Sequence, residues 1–125
     1  MPAKTPEDLD RLFAECLNAG DVDGVVALYE PGGTLLMEGA PPSTGLEAIR
    51  AAIAQFASMK PKIRMSVQKV LHGGGDVAVV YNDWQVTLVG PDGKTIEDTG
   101  KACEIVRRQA DGTWKYIIDD PRMRG

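Results

Sequence analysis

Near residue 61 the apolar pattern of this chain changes its period, and that one change restricts the folds open to it. Up to Pro61 the hydrophobic residues return at three- and four-residue spacing. From Ile63 onward they gather in β-rich runs of about 62–72, 76–89, 94–109 and 113–119. Gly73-Gly74-Gly75, Gly90-Pro91-Asp92-Gly93 and Ala110-Asp111-Gly112 divide those runs as hairpin turns. Three helices ahead of a long antiparallel meander predict an α+β fold with the sheet curled around the helices. A length of 125 residues allows a single domain, 1–125, with one core and a small internal cavity.

The helical part carries its own punctuation. Thr5-Pro6-Glu7-Asp8 supplies a capping hydroxyl, a proline at the first helical position and acids at the positive end of the dipole. The first helix runs to about Asn18, with Leu9, Leu12, Phe13, Cys16 and Leu17 forming its buried stripe. Gly20 stops it, and Asp21 caps a short second helix that holds Val25, Val26, Leu28 and Tyr29 and ends at Pro31-Gly32-Gly33. Thr34 to Glu38 reads as a short strand, and the proline-containing segment Gly39 to Ser43 as a loop. Thr44-Gly45-Leu46-Glu47 fits a capping box opening a third helix whose apolar face is Leu46, Ile49, Ile53 and Phe56.

Charge and cysteine usage remove several function classes. With 14 Lys+Arg against 18 Asp+Glu, the net charge of −4 disfavours a surface that tracks phosphates, so nucleic acid is not an expected partner. No apolar run reaches signal-peptide or bilayer length, so the expected location is cytoplasmic, with no membrane partner. Cys16 and Cys103 read as buried reduced thiols. His72 is the only histidine and sits at a predicted turn, and the carboxylates lack ligand spacing, so neither a metal site nor a cofactor is expected. Neither a GxGxxG nor a Walker-type lysine is present.

Three carboxylates stand in apolar strand contexts. Glu104 lies within Cys103-Glu104-Ile105-Val106, where a lone carboxylate needs a partner, a raised pKa or a cavity. The alternative is an outward side chain paired with Lys101 or an arginine. Asp83 lies in Tyr81-Asn82-Asp83-Trp84-Gln85, a polar notch that suggests a cavity wall or a dimer interface. Alternation puts Tyr81, Asp83 and Gln85 on one face and Asn82 with Trp84 on the other. Asp119 and Asp120 face opposite ways, and strict alternation sets Asp119 beside Ile117, toward a cavity mouth. Convergence of Asp83, Glu104 and Asp119 would raise at least one pKa and make an acid–base pair without histidine; strand-end capping or surface pairing is the plainer alternative.

The words LNAGD, DGVVALYE, TGLEAIR and DGTWKYIID, in this order of elements, resemble the NTF2-like superfamily, especially its SnoaL-like and ketosteroid-isomerase-like members, over nearly the whole chain. The resemblance implies a cone: helices closing over a curved, mostly antiparallel sheet, an apolar pocket between them, and commonly a homodimer through the sheet's outer face. It also implies a small hydrophobic ligand and isomerase, cyclase or hydrolase chemistry without a cofactor, or a non-catalytic binding or accessory module. Position by position, Phe13 stands where the isomerase has its oxyanion-binding tyrosine. Met37 or Glu38 stands where it has its general base, and Glu104 matches its protonated acid. The cyclases' late aspartate falls on Asp119 or Asp120, but no histidine stands on either of the last two strands, and no Asp-Arg-Asp relay accompanies Arg50, Arg107 or Arg108. The expected catalytic candidates are Asp83, Glu104 and Asp119. The expected pocket residues are Phe13, Tyr29, Met37, Tyr81, Gln85 and Ile117; the adaptable side chains of Met37, Met59 and Met65 suit an apolar pocket, core filling being the plainer alternative for each.

Overall fold

A computed structural model describes residues 2–123. Its elements, in chain order, are α1 (Pro6–Asn18), α2 (Val22–Val26), β1 (Tyr29–Leu35), β2 (Ser43–Thr44), α3 (Leu46–Ala57), β3 (Lys62–His72), β4 (Val77–Val89), β5 (Thr95–Arg108) and β6 (Trp114–Asp120). The predicted change of period is therefore real, and the fold is α+β. All three helices precede β3, but β1 and β2 lie between the second and the third.

The six strands form one mixed sheet in the order β2-β1-β6-β5-β4-β3. Every neighbouring pair is antiparallel except β1 with β6, which run parallel. The helices cover one face and bury Leu9, Phe13, Leu17, Ile49 and Ile53 against Val80, Trp84, Val106 and Tyr116. Asn18 fastens the end of α1 to the edge strand: its amide donates to the Ile63 carbonyl at 2.9 Å and accepts from the Ile63 N–H at 2.7 Å. That pairing satisfies both main-chain groups of a residue at an open sheet edge.

Local chemistry explains most boundaries. Thr5 caps α1 as expected, and the Asp8 side chain returns the bond to the Thr5 main chain. Asp21 caps α2 through the Gly24 N–H at 2.9 Å. The expected second helix is shortened, because Tyr29 belongs to β1 and that strand runs straight through Pro31-Gly32-Gly33. These residues form an irregularity in the β1–β6 ladder between Tyr29 and Thr34. A Cβ at Gly33 would stand 3.1 Å from the Glu30 carbonyl and 3.2 Å from that of Tyr116, so glycine lets two backbones approach there. The expected capping box at Thr44 does not form. Gly45 is the N-cap of α3, and the Thr44 hydroxyl instead meets that of Thr34 at 3.0 Å, joining β2 to β1.

Candidate functional site

Two strand faces compete for the interior, and β4 shows which one wins. Ala78, Val80, Asn82, Trp84 and Val86 are buried, so the even-numbered residues face the helices. The expectation that Tyr81, Asp83 and Gln85 line the pocket is corrected. They point to the outer face, where Asp83 pairs with Lys101 at 3.3 Å. Inward space at this level is taken by the Trp84 indole, which lies over Gly100 and donates from Nε1 to the Pro121 carbonyl at 2.7 Å. Asp83 therefore does not converge with Glu104 and Asp119.

Those two do come together. Glu104 and Asp119 are cross-strand partners on β5 and β6, directly opposite one another, and both are buried. Asp119 reaches this position by a route that alternation does not predict. The β5–β6 register shifts by one residue between Ile105 and Val106, leaving Ile117 as the extra residue of a bulge. Tyr116 and Asp119 consequently share the inner face. Ile117 is displaced from it, contrary to the expected pocket role.

Behind the pair lies a buried polar network drawn from five elements. Tyr29 on β1 donates its hydroxyl to Asp119 Oδ2 at 2.5 Å. Tyr116 on β6 donates to Asp10 Oδ1, on α1, at 2.6 Å. Asn82 on β4 uses its one amide nitrogen twice, toward Asp10 Oδ2 at 3.0 Å and Glu104 Oε2 at 2.9 Å. Asn82 Oδ1 and Glu104 Oε1 are buried without a partner among the described residues. Asp10, Asn82 and Tyr116 are not among the expected site residues. Asp10 carried a signal nonetheless: it lies three residues before Phe13 and seven before Leu17, inside the apolar stripe of α1.

The cavity in front of this network has a volume of about 260 Å³. Its walls are mainly apolar, from Phe13 on α1, Ile53 and Phe56 on α3, Met65 on β3 and Trp84 on β4, while Glu104 and Asp119 supply polar groups. Met37 lines it too, as expected. Tyr29 is not part of the lining and acts from behind, through Asp119. Toward the C-terminal end of β6, Arg122 spans the lining between Glu38 and Asp98.

Burial controls the protonation of these acids. It pushes the Glu104 carboxyl well above the ordinary range, the charges of Asp10 and Asp119 push it the same way, and the Asn82 amide only partly offsets them. Asp119 rises to about 7, again chiefly through burial; the Tyr29 hydroxyl pulls it partly back down, and the charges of Asp10 and Asp120 add to the rise. Both tyrosine hydroxyls are held well above their usual range by burial and the neighbouring carboxylates, and so remain donors. Glu104 thus holds its proton to higher pH than an ordinary carboxyl, beside an Asp119 carboxyl raised to about 7. Paired carboxyls with separated protonation are suited to acid–base work. Among the described residues, no group of three or more His, Cys, Asp or Glu side chains is placed to hold a metal ion. His72 ends β3 with its ring edge-on to Trp114 at 6.0 Å, away from the cavity. Cys16 and Cys103 are free thiols, each only half-buried.

Residues 9–117 match the sequence profile of the SnoaL-like domain. The chain belongs to the SnoaL-like family. No curated protein matches this SnoaL-like chain significantly. Solved structures support the NTF2-like fold. A ketosteroid isomerase-like protein from Erwinia carotovora superposes with a TM-score of 0.82 at 18% identity, over 90% of this chain and 88% of the other. An NTF2-like superfamily protein from Salmonella enterica gives 0.79 at 16%, over 94% and 89%. A candidate dehydratase of the NTF2-like family from Streptomyces avermitilis gives 0.73 at 19%, over 90% and 89%. At these identities the likeness concerns the fold. Among the described residues of this SnoaL-like domain, no helix is long and apolar enough to cross a membrane.

Proposed function

We propose that this SnoaL-like protein binds a small, largely apolar molecule in the cavity and acts on it by cofactor-independent acid–base catalysis, with Glu104 as acid and Asp119 as base. The observation that carries this reading is the directly opposed pair Glu104 and Asp119, buried at a mainly apolar cavity and shifted by different neighbours. Glu104 donates to an acceptor oxygen of the ligand, while Asp119 takes a proton from the same molecule. Isomerase-like and dehydratase-like structural relatives are in keeping with proton-transfer chemistry. Native mass spectrometry of gently purified protein identifies a retained molecule by its added mass. Incubating that molecule in D2O with the wild type and with Glu104→Gln is the test. Turnover or deuterium uptake in the wild type, lowered roughly 100-fold or more in the variant, supports the reading. Equal rates in the two proteins refute it.

A second reading, a binding module without turnover, is favoured by Phe13. It lines the cavity and offers no donor to an anionic intermediate. Under this reading Glu104→Gln changes affinity alone, and no conversion occurs in either protein.

We also infer a homodimer through the outer sheet face. Leu71, Val79, Ile105 and Ile118 fall in one register row across β3, β4, β5 and β6, with Leu71 48% and Ile118 39% exposed. Such a contiguous apolar row suits a second copy of the chain. Light scattering should give twice the 13.4 kDa chain mass, and Ile105→Glu should give the single chain. A cytoplasmic location is proposed with it, since free thiols suit a reducing compartment.

A further inference from the structure

Asp10 lies on the helix side of the network, outside the cavity lining, yet it is as deeply buried as Glu104, each being 2% exposed. A carboxyl so placed has to be matched by donors, and Asp10 has them on both oxygens. Oδ1 accepts from Tyr116 and Oδ2 from Asn82. Glu104 has less. Its Oε2 shares the Asn82 nitrogen with Asp10, and its Oε1 has no partner among the described residues. The two carboxyls therefore meet around one amide nitrogen, and Asp10 acts on Glu104 as a hydrogen-bonding neighbour. Two buried carboxyls in contact cannot both ionise without large repulsion, so they keep one proton between them. It settles on the member whose ionised form is less well solvated by donors, and here that is Glu104.

We propose that Asp10 is a positioning residue for Glu104: matched by donors from Tyr116 and Asn82 on both its oxygens, it keeps the proton of the pair on Glu104, the member that lines the cavity. This rests on the acid role given to Glu104 above. The charge of Asp10 is among the influences that raise the Glu104 carboxyl. The other groups facing Glu104 are Asn82 from β4, Asp119 and Tyr116 from β6, and Tyr29 from β1. Asp119 also favours the proton on Glu104, Asn82 opposes it, and the tyrosines stay neutral. A chain with an apolar residue at position 10 would present an acid of more ordinary strength to its ligand.

The test is a carbon-detected NMR titration of side-chain carboxyls on the full-length protein, with no ligand and no assay of activity. In the wild type at neutral pH, the Glu104 carboxyl carbon should show the protonated shift and the Asp10 carboxyl carbon the ionised one. In Asp10→Asn, whose amide can donate to Glu104, the Glu104 midpoint should fall by at least one pH unit, a tenfold or greater gain in acidity. A folded Asp10→Asn protein with an unmoved Glu104 midpoint overturns the positioning role and leaves the acid role of Glu104 intact. A wild type in which Glu104 is ionised at neutral pH removes the proposed acid, and the positioning role with it. Should Asp10→Asn fail to fold, the wild-type spectrum decides: a protonated Asp10 overturns the proposal, and an ionised Asp10 beside a protonated Glu104 sustains it.

Discussion

The Tyr29 hydroxyl donates to Asp119 Oδ2 at 2.5 Å, tying the first strand to the last at the inner end of the cavity. Of the influences on Asp119, this bond is the main one that favours the ionised form. In Tyr29→Phe the carboxylate loses its only side-chain donor among the described residues while burial is retained. The Asp119 midpoint should then rise above its value of about 7, as read by NMR titration. Stability should drop by roughly 1–3 kcal/mol, the usual cost of stranding one buried partner.

The buried acids set a pH dependence of stability with a definite sign. Asp119 binds its proton more tightly in the folded protein, at about 7, than at the ordinary 3.8. Its favourable contribution is therefore complete below about 4 and is lost as pH rises through about 7. Glu104 is raised as well and extends the loss in the same direction. Asp8 and Glu30 are lowered instead, so they lose stability only as pH falls below the carboxylate range. Thermal denaturation should show the melting temperature declining between about pH 4 and 7, with Asp119 supplying on the order of 4 kcal/mol at most. Asp119→Asn should flatten that decline, and an unchanged slope would show that Asp119 is not raised.

Much of this architecture was legible residue by residue, and the failures share one cause. The Thr5–Asp8 cap, the Asp21 cap and the last four strands involve neighbours in sequence, and they form where local chemistry puts them. The inward face of β4 is decided by contacts far along the chain: Asn82 meets Asp10, and Trp84 needs the space above Gly100. Alternation separated Asp83 from Trp84 without indicating which was inside. The bulge at Ile117 is likewise a mismatch between two strands, which no single strand encodes, and it puts Asp119 on the same face as Tyr116 instead of Ile117. An acid on a helix is usually solvated, and only its place in the apolar stripe marks Asp10 as an exception.

Gly100 has a packing role that a substitution should expose. A Cβ there would lie 2.3 Å from Trp84 Cζ2, against a rigid ring already anchored to the Pro121 carbonyl. Gly100→Ala should push the indole into the cavity and break that anchor. The expected cost is roughly 1–3 kcal/mol, as for other overpacked sites. Denaturant unfolding would measure it, and a shift in tryptophan emission would report the displaced ring. Unchanged stability and emission would mean that the backbone yields instead.

Arg122 closes one side of the cavity with a cluster made from four parts of the chain. Its guanidinium lies over the Trp84 ring, 5.1 Å from the centroid, and pairs with Glu38 at 2.6 Å and with Asp98. These side chains are well exposed, and exposed ion pairs contribute about 0.2–1 kcal/mol each, so the cluster adds little to global stability. Its larger effect is on access, because removing the guanidinium uncovers the Trp84 face beside the lining. Arg122→Ala should leave the melting temperature nearly unchanged while increasing acrylamide quenching of tryptophan. Release of a molecule retained in the cavity should become faster, followed by loss of its added mass during native mass spectrometry. A variant with unaltered quenching and retention would place the entrance to the cavity elsewhere.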